Sequence, residues 1–369
     1  MISFELTEEQ SQVRDMLAAF ARNELSPRAR GADEARVAPP DVLDSAWSLG
    51  LTALAIPEAY GGGGTPRSAL TNALMLEAMG YGCAGLAGAA FVASLFVNPL
   101  IDLGSEQQKR RSLPEFCGAS RRVATLALHE GSLAFDPARM TARAERNGSG
   151  WRITGTKRLV PMGADAVSVL VVARASEAPG IDGIRAFLVP SDTAGVTITR
   201  ESGVIGLTPM GFSRVELADV RLPGEAILGE GDGADIRPLL ASLRIGGAAL
   251  AVGLSRAVID FAIPYASERV AFGEPIAKKQ SIAFMLADMH IECDAMRWMV
   301  WKAAAAFDRG FDASKAAVLA QDYVNRHAVR IADDGLQIFG GHGYIRDLPL
   351  EMWLRNVRAL TIHDAIAAA

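Results

Sequence analysis

The stretch YASERVAFGEPIAKKQ, Tyr265 to Gln280, is answered later in the chain by QIFGGHGY, Gln337 to Tyr344. In the first, Arg269 and Phe272 lie three apart, a spacing that puts both on one helix face just before the breaker Gly273. In the second, Gly340 and Gly341 leave the backbone bare enough for close approach of a phosphate. A guanidinium fork, an aromatic ring and an exposed backbone turn together suit a dinucleotide. The arginine would take the pyrophosphate, the ring the apolar cofactor surface, and the amides the phosphate oxygens.

Around this stretch the hydrophobic period is helical: Ile236 to Ser267, Ile282 to Phe307, Ala313 to Gly335, and a last segment from Glu351. Upstream, Arg122 to Pro223 holds short runs rich in Val, Ile and Thr, punctuated by Gly, Pro, Asn and Asp. Such spacing predicts a small antiparallel sandwich or barrel. Before it the chain is again helical. Thr7 with Gln10 reads as a capping box ahead of Val13, Met16, Leu17 and Phe20, and Pro39-Pro40 opens a helix that stops at Gly50. IPEAYGGGG, Ile56 to Gly64, reads as a flexible turn, since no Gly-Lys-Ser/Thr follows to make a phosphate loop. The expectation is an α+β multidomain chain: an all-α domain over 1–118, a β domain over 119–228 and a four-helix bundle over 229–369.

A chain of 369 residues is too long for one core, and 50% apolar with 21% charged residues is ordinary globular composition. The net charge of −5 gives no electrostatic reason to expect nucleic acid or an anionic membrane. Cys83, Cys117 and Cys293 show no metal-ligand spacing and read as free thiols of a reducing, cytoplasmic compartment. MISFELTEEQ lacks the pattern of a signal peptide. Leu243 to Ile263 carries Arg256 and Asp260 among Gly and Ala, and reads as a buried helix rather than a membrane span. His129, His342 and His363 are too scattered in sequence for a metal site.

The two opening stretches, in this order, resemble the carboxy-terminal domain of the acyl-CoA dehydrogenases, a flavoprotein family. Further matches are Tyr60-Gly61-Gly62, Glu106-Gln107-Gln108-Lys109 leading to Leu113-Pro114, and Gly155-Thr156-Lys157. None is specific alone; their order spans more than three hundred residues. The resemblance implies FAD lodged between the middle and last domains and across a subunit interface. Arg269, Phe272, Gln280, Gln337, Gly340 and Gly341 would reach that cofactor from the neighbouring subunit of a dimer of dimers. It also implies α,β-desaturation of an acyl-CoA thioester to trans-2-enoyl-CoA, with electrons passed to an electron-transfer flavoprotein.

In the family a glutamate of a Tyr-Glu-Gly-Thr turn takes the α-proton. Here the matching positions are His363, Asp364, Ala365 and Ile366, so a carboxylate remains, one methylene shorter. Asp364 is the candidate base; the alternative is a terminal charge paired with Arg358 or solvent. An imidazolium at His363 would lower its pKa. The family's other location for the base precedes an arginine matched by Arg244, but Leu243 stands there and cannot titrate. Arg244 is left to orient the substrate or the base, or to pair with Asp235.

The flavin-facing stretches depart further. Leu128 to Asp136 reads LHEGSLAFD, with His129 in place of a threonine and Phe135 in place of a serine at the pantetheine arm. Leu159-Val160-Pro161 replaces Trp-Ile-Thr, and Pro161 offers neither hydroxyl nor N–H. Leu128, His129, Leu159 and Pro161 are thus the own-side cofactor contacts, and Phe135, Arg244 and Ala365 those to substrate. Gly80 to Val97, a run of small residues, borders the acyl pocket in related enzymes, and tight helix packing is its default reading. Two functions follow: an FAD-dependent acyl-CoA dehydrogenase, or a catalytically eroded partner subunit that helps hold a shared FAD. The second is a pattern seen among relatives acting on bulky thioesters such as steroid side chains.

Overall fold

The computed structural model describes residues 5–132 and 135–369; four amino-terminal residues, and 133–134 within the LHEGSLAFD stretch, lie outside them. The first layer is helical. Helix α1, Glu8–Phe20, starts at the expected capping box, with Thr7 Oγ1 accepting from Gln10 N at 3.2 Å and Gln10 Oε1 from Thr7 N at 3.1 Å. Then come α2, Ala29–Ala35, and α3, Pro40–Ser48, whose stop is Gly50 at φ +71°. They are followed by α4, Leu51–Leu54, α5, Ala69–Ala90, α6, Ser94–Leu103, and α7, Glu106–Ser112.

The glycine loop before α5 is a loop but not a loose one. The backbone N–H groups of Gly63 and Gly64 donate to Ala53 O and Ile56 O, both at 2.9 Å. A Cβ on Gly62 would lie 2.1 Å from Ile56 O. Glycine is needed there for close approach, not for mobility.

The middle layer is a curled seven-stranded sheet in the order β1-β4-β2-β3-β7-β6, with β5 on β4. Its strands are β1 Ala124–Ala127, β2 Arg143–Asn147, β3 Gly150–Val160, β4 Ser168–Arg174, β5 Ile184–Pro190, β6 Val196–Arg200 and β7 Ser213–Leu222. Most pairings are antiparallel, as the strand spacing implied, but β4 meets β1 and β2 in parallel. Spacing reports where strands are, not which distant ones pair.

The third layer is the expected four-helix bundle: α8 Arg237–Glu268, α9 Gln280–Asp308, α10 Ser314–Phe339 and α11 Leu350–Leu360. Between α8 and α9 runs a two-stranded hairpin, β8 Val270–Ala271 and β9 Glu274–Pro275. This corrects the helical placement of Arg269 and Phe272. Arg269 caps α8 in an extended conformation, and Phe272 sits at the hairpin tip with φ +57° beside Gly273 at φ +85°. Two successive positive φ values make the tight turn that joins twisted strands, which no helix can contain.

Helices α5 and α8 are long and apolar enough to cross a membrane, yet their apolar windows are 83% and 78% buried within the molecule. They pack at glycine contacts. A Cβ on Gly80 would meet Leu250 O at 2.6 Å, and one on Gly253 would meet Glu77 O at 2.0 Å. The small residues of α5 therefore serve backbone approach. Gly85 and Gly88 complete the pattern against Pro209 and Met210.

The three layers are tied at one corner. Arg355 on α11 grips Asp33 on α2, with Nη2 to Oδ2 at 2.6 Å, and Thr208 Oγ1 donates to Asp33 Oδ1 at 2.8 Å. Burial alone would raise the Asp33 pKa, but Arg355 and Thr208 hold it below the usual carboxylate range. Asn356 Oδ1 accepts Leu207 N at 2.7 Å, so the segment before β7 is held from both sides.

Candidate active site

The site lies where β3, the segment before β7 and the chain after α11 meet. It starts from a buried ion pair. Lys157 on β3 has a fully buried side chain and bonds Glu130 Oε1 at 2.9 Å and Leu128 O at 3.1 Å. Burial pulls the Lys157 pKa down to about 8, against the opposing pull of Glu130. Glu130 also takes Thr141 N and Ala142 N, and these bonds with Lys157 outweigh its burial and keep it ionised. The pair fixes the strand end that carries His129.

Beyond Lys157 the β3–β7 register slips, and Leu159 is forced to φ +54°. A leucine in this conformation is strained, and such outliers cluster at ligand sites. The distortion turns the Leu159 carbonyl toward His363, whose Nε2–H donates to it at 2.6 Å. His363 Nδ1 accepts the Ala365 N–H at 3.0 Å, which fixes the tautomer. Burial pushes the His363 pKa down to about 4. The imidazolium expected beside Asp364 is therefore absent at neutral pH; the ring is a neutral strut.

His129 and His363, remote in sequence, stack with ring centroids 5.4 Å apart. Phe135 lies 4.6 Å from His129, and Phe212 5.6 Å from His363. His129 Nδ1 accepts the Gly131 N–H at 2.9 Å, which leaves the proton on Nε2. That nitrogen is buried without a partner. Burial lowers the His129 pKa, with Asp364 pulling the other way, so the ring and the carboxylate are electrostatic neighbours. Among the described residues no cluster of three or more His, Cys, Asp or Glu could hold a metal.

A cleft of about 710 Å³ opens alongside, lined by Gly131, Leu159, Phe212, Ala359, His363 and Ile366, with Arg158, Arg355 and Arg358 on its rim. Its size is that of a cofactor site, and its walls combine apolar residues with charged ones, among them Arg200, Glu201, Arg214 and Glu216. The orphaned His129 N–H is a donor in want of an acceptor, as a flavin ring nitrogen or a carbonyl would be. Leu159 lines the cleft, whereas Pro161 is buried and is not among the lining residues.

Asp364 lies between His363 and Ile366, both of which face the cleft, while its own carboxylate accepts from Gln321 Nε2 at 2.7 Å. It is half-buried and paired with this amide, not with Arg358. Arg244, half-buried on α8, is not held by Asp235, which binds Arg237 at 2.7 Å. Ala365 is buried and acts through its backbone N–H alone.

Arg269, Phe272, Gln280, Gln337, Gly340 and Gly341 do not line this cleft. They gather at the far end of the bundle, where α8 and α10 finish and α9 begins, and all are exposed, Phe272 at 95%. A hollow of about 380 Å³ there is lined by Tyr265, Arg269, Phe339 and His342. Gly340 has φ +58° and Gly341 has no neighbour where a Cβ would be, so the turn stays open to an incoming group.

Models of the acyl-CoA dehydrogenase N-terminal, middle and C-terminal domains match residues 7–120, 125–220 and 231–364. The probable acyl-CoA dehydrogenase YngJ of Bacillus subtilis (strain 168) is 35% identical, over 98% of this chain and 96% of that protein. The chain belongs to the acyl-CoA dehydrogenase family. Butyryl-CoA dehydrogenase from Megasphaera elsdenii superposes with a TM-score of 0.89 at 30% identity, over 99% of this chain and 96% of that one. A structure of the electron transferring flavoprotein of Acidaminococcus fermentans gives 0.89 at 29% identity, over 99% and 96%. As an acyl-CoA dehydrogenase the chain is an FAD-dependent oxidoreductase acting on acyl-CoA.

Several residues of this acyl-CoA dehydrogenase site carry no signal in the sequence. Gln321 sits on α10 far from Asp364 in the chain, and Phe212 reads as one more strand residue. Gln108, part of a family-like motif, donates to Glu225 O at 2.8 Å and Ile227 O at 2.6 Å, so its role is to join α7 to the sheet.

Proposed function

We propose that the chain is a working dehydrogenase that desaturates an acyl-CoA thioester between its α and β carbons, with Asp364 taking the α-proton. The observation that supports this is that Asp364 lies between His363 and Ile366, which wall the 710 Å³ cleft, with His129 stacked on His363. FAD supplies the acceptor for the departing hydride. The protein's own part is to leave a carboxylate within reach of an acidified carbon, to offer His129 Nε2–H to an acceptor in the cleft, and to exclude water with Phe135, Phe212 and Leu159. Arg269, Phe272 and the turn at Gly340 are the groups that grip the cofactor seated in a second protomer. Their exposure in one chain supports that assignment, as does the stripe Phe284, Ile291 and Trp298 along α9, spaced for a helix partner. An electron-transfer flavoprotein in the cytoplasm is the proposed acceptor, by analogy with the structural neighbour from Acidaminococcus fermentans.

The second reading, a partner subunit that helps hold another chain's FAD, is favoured by one feature: Pro161 removes a donor on the chain's own side of the cleft. The visible spectrum of the purified protein separates the two. One FAD per protomer, bleached by added acyl-CoA, supports the enzyme; a colourless chain that takes up half an equivalent only beside a paralogue supports the partner.

A further inference from the structure

The carboxylate of Asp364 does not face the cleft it would serve. Ile362, His363 and Ile366 line that cleft, and Asp364 does not. Its Oδ1 instead accepts from Gln321 Nε2 at 2.7 Å, and both residues are half-buried. Gln321 lies on α10 beside Ala317, Ala320 and Val324, which are buried where that helix packs on α8 and α9. The amide is therefore carried by a firmly packed helix.

The backbone at Asp364 is held as well. On one flank His363 Nε2–H donates to Leu159 O at 2.6 Å; on the other the Ala365 N–H donates to His363 Nδ1 at 3.0 Å. With both flanks pinned, the soft coordinate that moves the carboxylate is rotation about the Asp364 Cα–Cβ bond, which has three staggered wells. An aspartate carries its carboxyl carbon on that bond alone, so one step of χ1 exchanges one set of neighbours for another. A hydrogen bond to an ionised group favours the well that makes it by roughly ten- to a hundredfold in population.

We propose that Gln321 is a positioning residue that holds Asp364 in a resting rotamer, turned out of the cleft, and that a bound acyl thioester draws the carboxylate off Gln321 to reach the α-proton. The proposal rests on the reading of Asp364 as the base. It sets an order of events. The Gln321 bond breaks, χ1 turns, and then the substrate's Cα–H bond gives its proton to a carboxylate oxygen. Until a thioester is in place the base stays tied to α10.

The test compares the FAD-loaded protein, Gln321→Met and Asp364→Asn, with octanoyl-CoA. Methionine keeps the length of the glutamine and removes its donor. At saturating thioester Gln321→Met should reduce the flavin about tenfold faster in stopped flow, with the dissociation constant for octanoyl-CoA within about twofold of the original. A glutamine that only supports the fold would give an unchanged or slower rate. A crystal structure of the unaltered protein with an octanoyl-CoA analogue carrying sulfur in place of the β carbon, which has no β-hydride to lose, supplies the second readout. In it the Asp364–Gln321 separation should exceed about 3.5 Å, beyond hydrogen-bonding range. Should Gln321→Met not fold, this complex decides. An unaccelerated Gln321→Met, or an intact Gln321 bond in the complex, overturns the resting rotamer; if Asp364→Asn is still slow, Asp364 remains the base. Normal bleaching by Asp364→Asn overturns both.

Discussion

His363 donates its Nε2–H to the carbonyl oxygen of Leu159 at 2.6 Å, and so pins the segment after α11 to the strained end of β3. Only the neutral ring can do this while Nδ1 accepts from Ala365. The folded pKa of about 4 lies below the unfolded value of 6.5, so between these pH values the unfolded chain binds more protons. The stability this burial represents is complete above pH 6.5 and lost as pH falls toward 4, by at most about 3 kcal/mol. Thermal melts from pH 7.5 to 5 should show a falling midpoint, flattened in His363→Gln; identical slopes would remove His363 from the account.

Asp364→Asn keeps the size of the side chain and can still face Gln321. If Asp364 takes the α-proton, the substitution leaves flavin content unchanged and slows flavin reduction by acyl-CoA by roughly 100- to 10,000-fold. Stopped-flow absorbance measures this directly. A variant that bleaches at the normal rate would assign Asp364 to structure alone.

Removing Lys157 leaves Glu130 buried among backbone N–H donors with no counter-charge. Lys157→Met is expected to cost about 3–5 kcal/mol of unfolding free energy by urea titration. Lys157→Met with Glu130→Gln should recover part of that loss, because the second change takes away the stranded charge. Additive losses would contradict the pairing.

The Arg269 and Phe272 side chains are exposed, so substituting them should leave the unfolding free energy of an FAD-free protomer within about 0.5 kcal/mol of the original. Arg269→Ala should nonetheless lower the FAD retained after gel filtration by at least tenfold. Full retention would show that the hairpin does not serve the cofactor.

The acid limb of stability should be steep for a second reason. Asp33 and Glu351, both bound by Arg355, have carboxyl pKa values held below their ordinary range despite burial. Their contribution is present above the unfolded values of 3.8 and 4.5 and disappears as pH drops through the folded ones. Asp33→Asn should flatten that limb in melts below pH 5.

The layer order and the bundle were legible because they rest on local pattern: the short β-branched apolar run AVSVLVVA, buried on both faces as β4, and the helical spacing in Ile236 to Ser267. The hairpin at Phe272 was not, because three-residue spacing fits both a helix face and the two ends of a tight turn, and Gly273 marks the break without its reach. Parallel pairing of β1 with β4 depends on which distant strands meet, which local spacing does not encode. At the site, Asp364 and His129 were picked out by position in the family resemblance. Their real partners, Gln321 and the stack with His363, are long-range contacts between residues of ordinary type. The neutral state of His363 follows from burial, which adjacency to an aspartate cannot reveal.

Helix α8 carries Arg244 near its start and Arg269 at its finish, roughly 38 Å apart along the axis. Under the roles proposed for these two arginines, it is a phased ruler joining two work stations, one at each end. Adding a single residue anywhere between them would swing one arginine by about 100° relative to the other. Drift in length is thus barred from this rod, while its composition stays free to change.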